Sequence, residues 1–270
     1  MIVSMSSIIT FTSDFGIQGH YTGEVKGAIL SITPEAKIVD ISHQVGAHNL
    51  LEAAYIIAQA FRAFVPRTVH LLVVDPGVGS SRRGLVVEAE HQFFVAPDNG
   101  ILSLIFSEAE VQNVISIEAE HYFRRPVSPT FHARDIFAPV AAHLSTGASP
   151  LSFGPAVTDY TRLALPRVEE IAPGVWEGFI LHIDRFGNII TSIRPEKIRE
   201  NAGREFAIES FRIQDKEIGR HVDHYAAGTE GELFSLVSSG GYYEIAALKK
   251  SAAAMLNARR GMKVLLKIAE

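Results

Sequence analysis

The chain reads as an α/β protein carrying a second, smaller β domain, and three observations predict this. Apolar strand-like runs alternate with helix-period runs through the first half. A proline-rich stretch without periodicity interrupts the chain after about residue 149. Beyond that stretch comes a series of short strands separated by turns. The chain can support such a plan: it has 270 residues, and a globule of this length buries roughly three-quarters of its unfolded surface.

In the first half, SIITFT (7–12) is a strand run, YTGEVKGAILSIT (21–33) is helical and KIVDIS (37–42) is a second strand. Leu50, Leu51, Ala54, Ile57, Ala58 and Phe61 then recur at helical spacing, and TVHLLVV (68–74) is the third strand. This β-α-β-α-β order predicts a mainly parallel sheet with helices on its faces. GLVVEAEHQFFVAPDNG (84–100) adds two short strands and a turn, with Asp98 or Asn99 placed to cap a helix over ILSLIFSEA. NVISIEA (113–119) and a helix over DIFAPVAAHLS (135–145) complete the half. From about Ser149 to Val175, four prolines and little periodicity mark a connector. We place the N-terminal α/β domain at 1–160, the connector at 161–174 and the β domain at 175–270. The strands of the last are WEGFILHID, NIITSI, EFAIES, ELFSLVSS, YYEIAAL and KVLLKI.

Composition removes several classes of function. A net charge of −5, with no Lys/Arg stripe interleaved with aromatics, gives no footprint for nucleic acid. The absence of cysteine excludes disulfides, thiolate nucleophiles and cysteine-ligated zinc. MIVSMSSIITF lacks a basic leader region, and no apolar run approaches the ~20 residues of a membrane helix, so no membrane association and a cytoplasmic location are expected. SDFG (13–16) mimics a kinase triplet without an upstream lysine strand or catalytic loop. GVGSSRRG resembles a phosphate cradle, but Leu85 follows Gly84 where a P-loop needs lysine. The pairs His43 with His48 and His221 with His224 lack an acidic partner that would complete a zinc pattern, so no metal is expected.

What remains is a pattern of strand ends. Asp14 follows the first strand, Asp75 follows the third, and His132 precedes a later helix, so all three can face the carboxyl edge of a parallel sheet, where such sheets bind ligands. Arg82 lies on the glycine-hinged loop that begins at Asp75. Each has an ordinary alternative. Asp14 suits a turn or helix cap, Asp75 before Pro76 suits turn initiation, Arg82 a solvated surface and His132 a cap or core edge.

SDFG, VVDPGVGSSRRG, APDNG, TFHARDIFAP, IDRFGNIITSI and SSGGYYEIA, in this order across nearly the whole chain, resemble the S-adenosyl-L-methionine hydroxide adenosyltransferases, relatives of the fluorinase and chlorinase. The resemblance implies an α/β N-terminal domain, a β-barrel C-terminal domain and a homotrimer with sites between subunits. It also implies hydrolysis of S-adenosyl-L-methionine to adenosine and L-methionine, with no cofactor beyond that small-molecule substrate. By position it implies that Asp75, Arg82 and His132 activate water and that Asp14 binds the ribose. Asp184 is implied as a methionine-binding acid, Phe186 as an aromatic beside the adenosine and Asn188 as an amide contact, with Ser239, Glu244 and Ala247 as substrate-binding positions. Two departures stand out: Ser238-Ser239-Gly240-Gly241 replaces Gly-Ser-Arg-Gly, removing an arginine, and Ala133 replaces a usual glycine.

The chemistry suits these residue types. A sulfonium leaves as a neutral thioether without an acid, so the protein's task is to hold an oxygen nucleophile in line with carbon. Asp75 and His132 are both candidates for the proton acceptor. A halide-dependent adenosyltransferase and a non-catalytic adenosine or S-adenosylmethionine binder are the alternatives. The halogenases carry tyrosine where Asp75 stands, and a buried anion 4 Å from Asp75 would be repelled by about 4 kcal/mol at an effective dielectric constant of ~20.

Overall fold

Strand β1 (Ile8–Ser13) is buried at every residue after the first, which requires cover on both faces and neighbours on both edges. The computed structural model supplies both, and describes residues 8–269 apart from Pro166; the leaderless amino terminus expected from the sequence lies outside the described residues. Its contacts divide the chain into two compact units, one reaching to Leu163 and one beginning at Ala164.

The first unit is a six-stranded mixed sheet. Besides β1 it contains β2 (Lys37–Ser42), β3 (Val69–Val73), β4 (Gly84–Ala89), β5 (Gln92–Pro97) and β6 (Val111–Ser116), in the order β2-β1-β3-β5-β4-β6. The run β2-β1-β3-β5 is parallel, whereas β4 is antiparallel to both its neighbours. The helices are α1 (Tyr21–Ile32), α2 (Leu50–Ala60), α3 (Ser103–Glu108) and α4 (Ala138–Ser145), the last entered through a π turn over Ala133–Phe137. Val69, Leu71 and Val73 join α1 and α4 in one apolar core, while His70, pointing to the opposite face, meets Phe61 at the end of α2. Ser13 of β1 is level with Val73 of β3, so Asp14 and Asp75 leave the sheet at the same edge.

Asp98 does not cap α3. It accepts from Arg83 and from the Thr161 amide, while Asn99 Oδ1 takes the Ile101 amide in the turn before the helix. The proline-rich stretch is more ordered than its composition suggests. Phe153 is buried in the first core, and the Ser116 and Val157 amides bond to Pro155 and Val114, which covers the β6 edge. Farther along, β7 (Glu169–Ala172) pairs with the next strand.

The second unit is an antiparallel, nearly closed barrel. It is built from β8 (Val175–Ile183), β9 (Ile189–Thr191), β10 (Ala207–Ile213), β11 (Lys216–Ile218), β12 (Leu233–Val237), β13 (Tyr243–Ala247) and β14 (Lys263–Ala269), ordered β11-β10-β14-β8-β9-β13-β12. The segment after β11 bonds to β12 through Ser235 N to Arg220 O and Val222 N to Ser235 O, both 2.9 Å, which draws the two ends together. Two short helices, α5 (Pro195–Ala202) and α6 (Ala252–Met255), interrupt the strands. Among the described residues no helix is long and apolar enough to cross a membrane.

His70 shows how the first core handles a polar group. It is fully buried, with Nδ1 2.7 Å from Thr10 Oγ1, Nε2 2.6 Å from Gln92 Oε1 and its ring stacked on Phe94. Burial disfavours the imidazolium and lowers the pKa from 6.5 to about 4, against the bond to Gln92, which opposes the shift. The folded ring therefore stays neutral where the unfolded chain already takes up a proton. About 3 kcal/mol of stability, present above pH 6.5, is lost as pH falls toward 4. Urea unfolding from pH 7 to 4 is expected to show this loss in the wild type and a shallower decline in His70→Gln; parallel declines would refute it.

Candidate active site

The loop after β3 is shaped by where it must pack. Gly79 has φ +82°, and a Cβ there would lie 2.4 Å from the Pro129 carbonyl oxygen, so only glycine lets the 75–84 loop rest against the segment that carries His132. On that loop, Arg82 Nε donates to Asp75 Oδ1 at 2.8 Å, its Nη2 donates to Asp75 Oδ2, and the same Nη2 donates to His132 Nδ1 at 2.9 Å. The guanidinium also lies 5.1 Å from the Phe137 ring centroid. Arg83 turns the other way, to Asp98 and Asp159. Of the two adjacent arginines, one holds Asp75 and His132 together and the other braces the fold.

His132 is held by its neighbours. Asp135, fully buried, takes the Ser128 amide at 2.9 Å and both Nε and Nη2 of Arg134, whose Nη1 reaches Glu24 of α1 at 2.7 Å. Burial pushes the Asp135 carboxyl up, but the Arg134 and Ser128 bonds outweigh it and hold it below the usual range. For His132 itself, burial and then the Arg82 charge keep the pKa below the ordinary histidine value, so the ring is neutral at neutral pH. Because Nδ1 faces a guanidinium that can only donate, the proton of the neutral ring belongs on Nε2.

Asp14, Asp75 and His132 line one cavity of about 380 Å³ together with His48 and the aromatic residues Phe15, Tyr21 and Phe131. Asp14 Oδ2 accepts the His48 amide at 3.0 Å. His48 has φ +62° and sits between two bonds at the start of α2, where Asn49 Oδ1 takes the Glu52 amide as N-cap and Glu52 Oε2 reaches back to the Gly46 amide. The sequence did not point to this aromatic wall, although Phe15 and Phe131 flank Asp14 and His132.

The second unit has its own cavity, about 600 Å³, lined by Asp184, Phe186, Asn188, Tyr225 and residues 247–251. Asp184 Oδ1 accepts the Phe186 and Asn188 amides, at 2.9 and 2.8 Å, and its Oδ2 accepts Asn188 Nδ2 at 3.0 Å. Phe186 is left 78% exposed. Glu244 is buried and accepts the Tyr225 hydroxyl at 2.7 Å; burial raises its pKa, the Tyr225 bond opposes this, and the charge of Asp184 adds to it. Ala247 lines the cavity, but Ser239 lies in the exposed turn before β13, at the end of that strand away from Ala247. Tyr225, in a stretch without a motif, is a further lining residue that the sequence did not point to.

An α/β unit with an Asp-Arg-His cluster at its carboxyl edge, followed by an antiparallel barrel unit, defines the class. Residues 9–154 match the SAM hydroxide adenosyltransferase N-terminal domain and residues 178–265 its C-terminal domain, so the chain belongs to the SAM hydroxide adenosyltransferase family. It is similar to the (R)-S-adenosyl-L-methionine hydrolase of Methanocaldococcus jannaschii, at 33% identity over 93% of this chain and 92% of the relative. It is also similar to that of Thermus thermophilus, at 32% identity over 96% and 98%. A fluorinase of Nocardia brasiliensis is 26% identical over 97% of each chain. The crystal structure of an uncharacterized conserved protein from Thermotoga maritima superposes with a TM-score of 0.88 at 33% identity, over 96% of this chain and 99% of that one.

Replacing Gly79 with alanine is expected to lower the unfolding free energy by about 1 to 3 kcal/mol, the scale of a strained positive-φ residue. Thermal unfolding indistinguishable from wild type would show that the loop can relax away from Pro129.

Proposed function

We propose that this protein is an enzyme that hydrolyses S-adenosyl-L-methionine, with water attacking the ribose 5′ carbon to give adenosine and L-methionine. The observation that carries this is the Asp75-Arg82-His132 cluster, in which Arg82 bonds both Asp75 and His132 and those two line one cavity with Asp14; the names of the hydrolase relatives support it. In the reaction the oxygen-carbon bond forms as the carbon-sulfur bond breaks, the electron pair goes to sulfur, and the water proton goes to Asp75. His132 is not the acceptor: its Nδ1 lone pair is used by Arg82 and its Nε2 bears the hydrogen, which can orient the water. Arg82 occupies one lone pair on each Asp75 oxygen and leaves the others free. An acceptor of this kind selects a nucleophile that brings a hydrogen, which water does and a halide does not. Asp14 suits the ribose hydroxyls, and Phe186 and Asn188 suit the adenine. No cofactor is required, because the substrate carries its own leaving group.

In water enriched in oxygen-18, pure protein is expected to form adenosine with the label on its 5′ oxygen, and Asp75→Ala to lower that turnover by about 10² to 10⁴. No adenosine from the wild type would reject the hydrolase reading, and near-normal turnover in the variant would remove Asp75 from the mechanism.

The active form we propose is a homotrimer in the cytoplasm, a compartment that suits a chain without cysteine. Each site would combine the first unit of one chain with the second unit of its neighbour. The exposed Phe186 and the division of candidate residues between two units support this reading, and a head-to-tail ring closes with three equivalent sites. Mixing Asp75→Ala with Asn188→Ala chains, unfolding and refolding them together, is then expected to restore part of the activity through sites that inherit neither lesion. Verified mixed trimers without activity would show that each chain builds its site alone.

A further inference from the structure

A third cavity, of about 490 Å³, lies where α5 and the start of β10 meet the Tyr243 end of β13. It shares no lining residue with the cavity of Asp184 and Asn188. Ala247 lines that one and Tyr243 this one, at opposite ends of the same strand.

Its polar wall is built from three elements. Tyr243 is 3% exposed, and its hydroxyl has no hydrogen-bond partner among the described residues. Tyr243 lines the cavity, so this hydroxyl is free to donate to an acceptor that enters it. Burial pushes the phenol up to about 12, against the opposing charge of Arg199, so at neutral pH it is a donor. Arg199 of α5 gives its Nε to Glu205 at 3.0 Å, holds its guanidinium 5.9 Å from the Phe206 ring centroid, and leaves its two terminal nitrogens without partners among the described residues. His221, its Nδ1 3.0 Å from Ser235 Oγ, stands edge-on to Tyr243 with ring centroids 6.0 Å apart. Apolar surface completes the wall: Phe206, Ile208 and Val237, the last 42% exposed. The acid on this cavity is Glu196, one turn before Arg199 and exposed, so a ligand's negative group must settle on the Arg199 and Tyr243 side.

We infer that this end of the barrel binds a small carboxylate with an apolar body, its oxygens taken by the Arg199 guanidinium and the Tyr243 hydroxyl and its carbon skeleton by Phe206, Ile208 and Val237. The terminal nitrogens that Arg199 leaves over from its Glu205 pair, together with the Tyr243 hydroxyl, are donors arranged for a carboxylate, and the apolar wall matches carbon in place of a bare inorganic ion. Barrel mouths are frequent ligand sites for this reason, since strand ends converge there from several directions.

Benzoate is a suitable probe, followed by calorimetry or ligand-observed NMR on the whole chain. Benzoate is expected to bind, with Arg199→Met and Tyr243→Phe each weakening it by about tenfold, the scale of one hydrogen bond to a charged group. Benzamide and inorganic phosphate are expected to bind at least tenfold more weakly than benzoate. Tyr243→Phe keeps the ring and removes only the hydroxyl, and Asn188→Ala, in the other cavity, is expected to leave benzoate binding unchanged. The inference is overturned if benzoate does not bind at millimolar concentration, if both folded variants bind it like wild type, if benzamide or phosphate binds as tightly, or if Asn188→Ala weakens it as much as Arg199→Met.

Discussion

The first unit's site depends on one guanidinium. The side chains of Arg82 and Asp75 are 11% and 5% exposed, and charges withdrawn from water to that degree are tolerable only when paired. Their bidentate contact satisfies both. It also spends the remaining Nη2 hydrogen on His132, so one interaction ties the loop after β3 to the segment before α4 and fixes which imidazole nitrogen carries the proton. Geometry and protonation state are thus set by the same bond. Removing any member leaves an unpaired charge or an undirected ring in a confined space.

The supports of that cluster are themselves local and explicable. Asp135 anchors Arg134, and Arg134 reaches α1, so the position of His132 is referred to a helix in the core and not to a free loop. The Asp14 side is referred to α2 through the N-cap Asn49 and the reach of Glu52 back to Gly46. Sites built on loops stay precise when the loops are fastened to rigid elements in this way. The parallel register of β1 and β3 then brings the two halves to the same edge.

Much of this was legible in the sequence because it rests on short-range pattern. Periodicity alone locates β1, α1, β2, α2 and β3, and the strand-end rule alone selects Asp14, Asp75 and His132. What the sequence hid depends on long-range pairing. The β4-β5 hairpin is local, but that β5 and not β4 lies beside β3, and that β6 returns to the far side of β4, is not encoded in local pattern. β7 and β11 are short and largely polar, and α5 buries only Pro195 and Ile198, so none gives an apolar period to detect. Asp98 illustrates the same limit. By local rules it suits a helix cap, but Arg83 and Thr161, far off in sequence or across a hairpin, offer a charged and a neutral donor that outweigh a cap.

The second unit's aspartate shows how much structural work one motif position can carry. Asp184 accepts three hydrogen bonds, all from within its own turn, out of the roughly four lone-pair positions of a carboxylate. Its main work is therefore to close the turn that displays Phe186 and to hold the Asn188 amide, and one acceptor position remains for anything outside the turn. Gly187 belongs to the same device, for at φ +82° its Cβ would fall 2.0 Å from Ser251 Oγ, and only glycine allows the turn to seat against the start of α6. The amide orientation is fixed as a result: with Nδ2 committed to Asp184, Asn188 presents Oδ1 to whatever enters, an acceptor suited to an exocyclic amine. An exposed aromatic face next to a fixed amide acceptor is the pairing that the proposed adenine contact calls for, and Asp184, by bonds within its own turn, sets both parts of it.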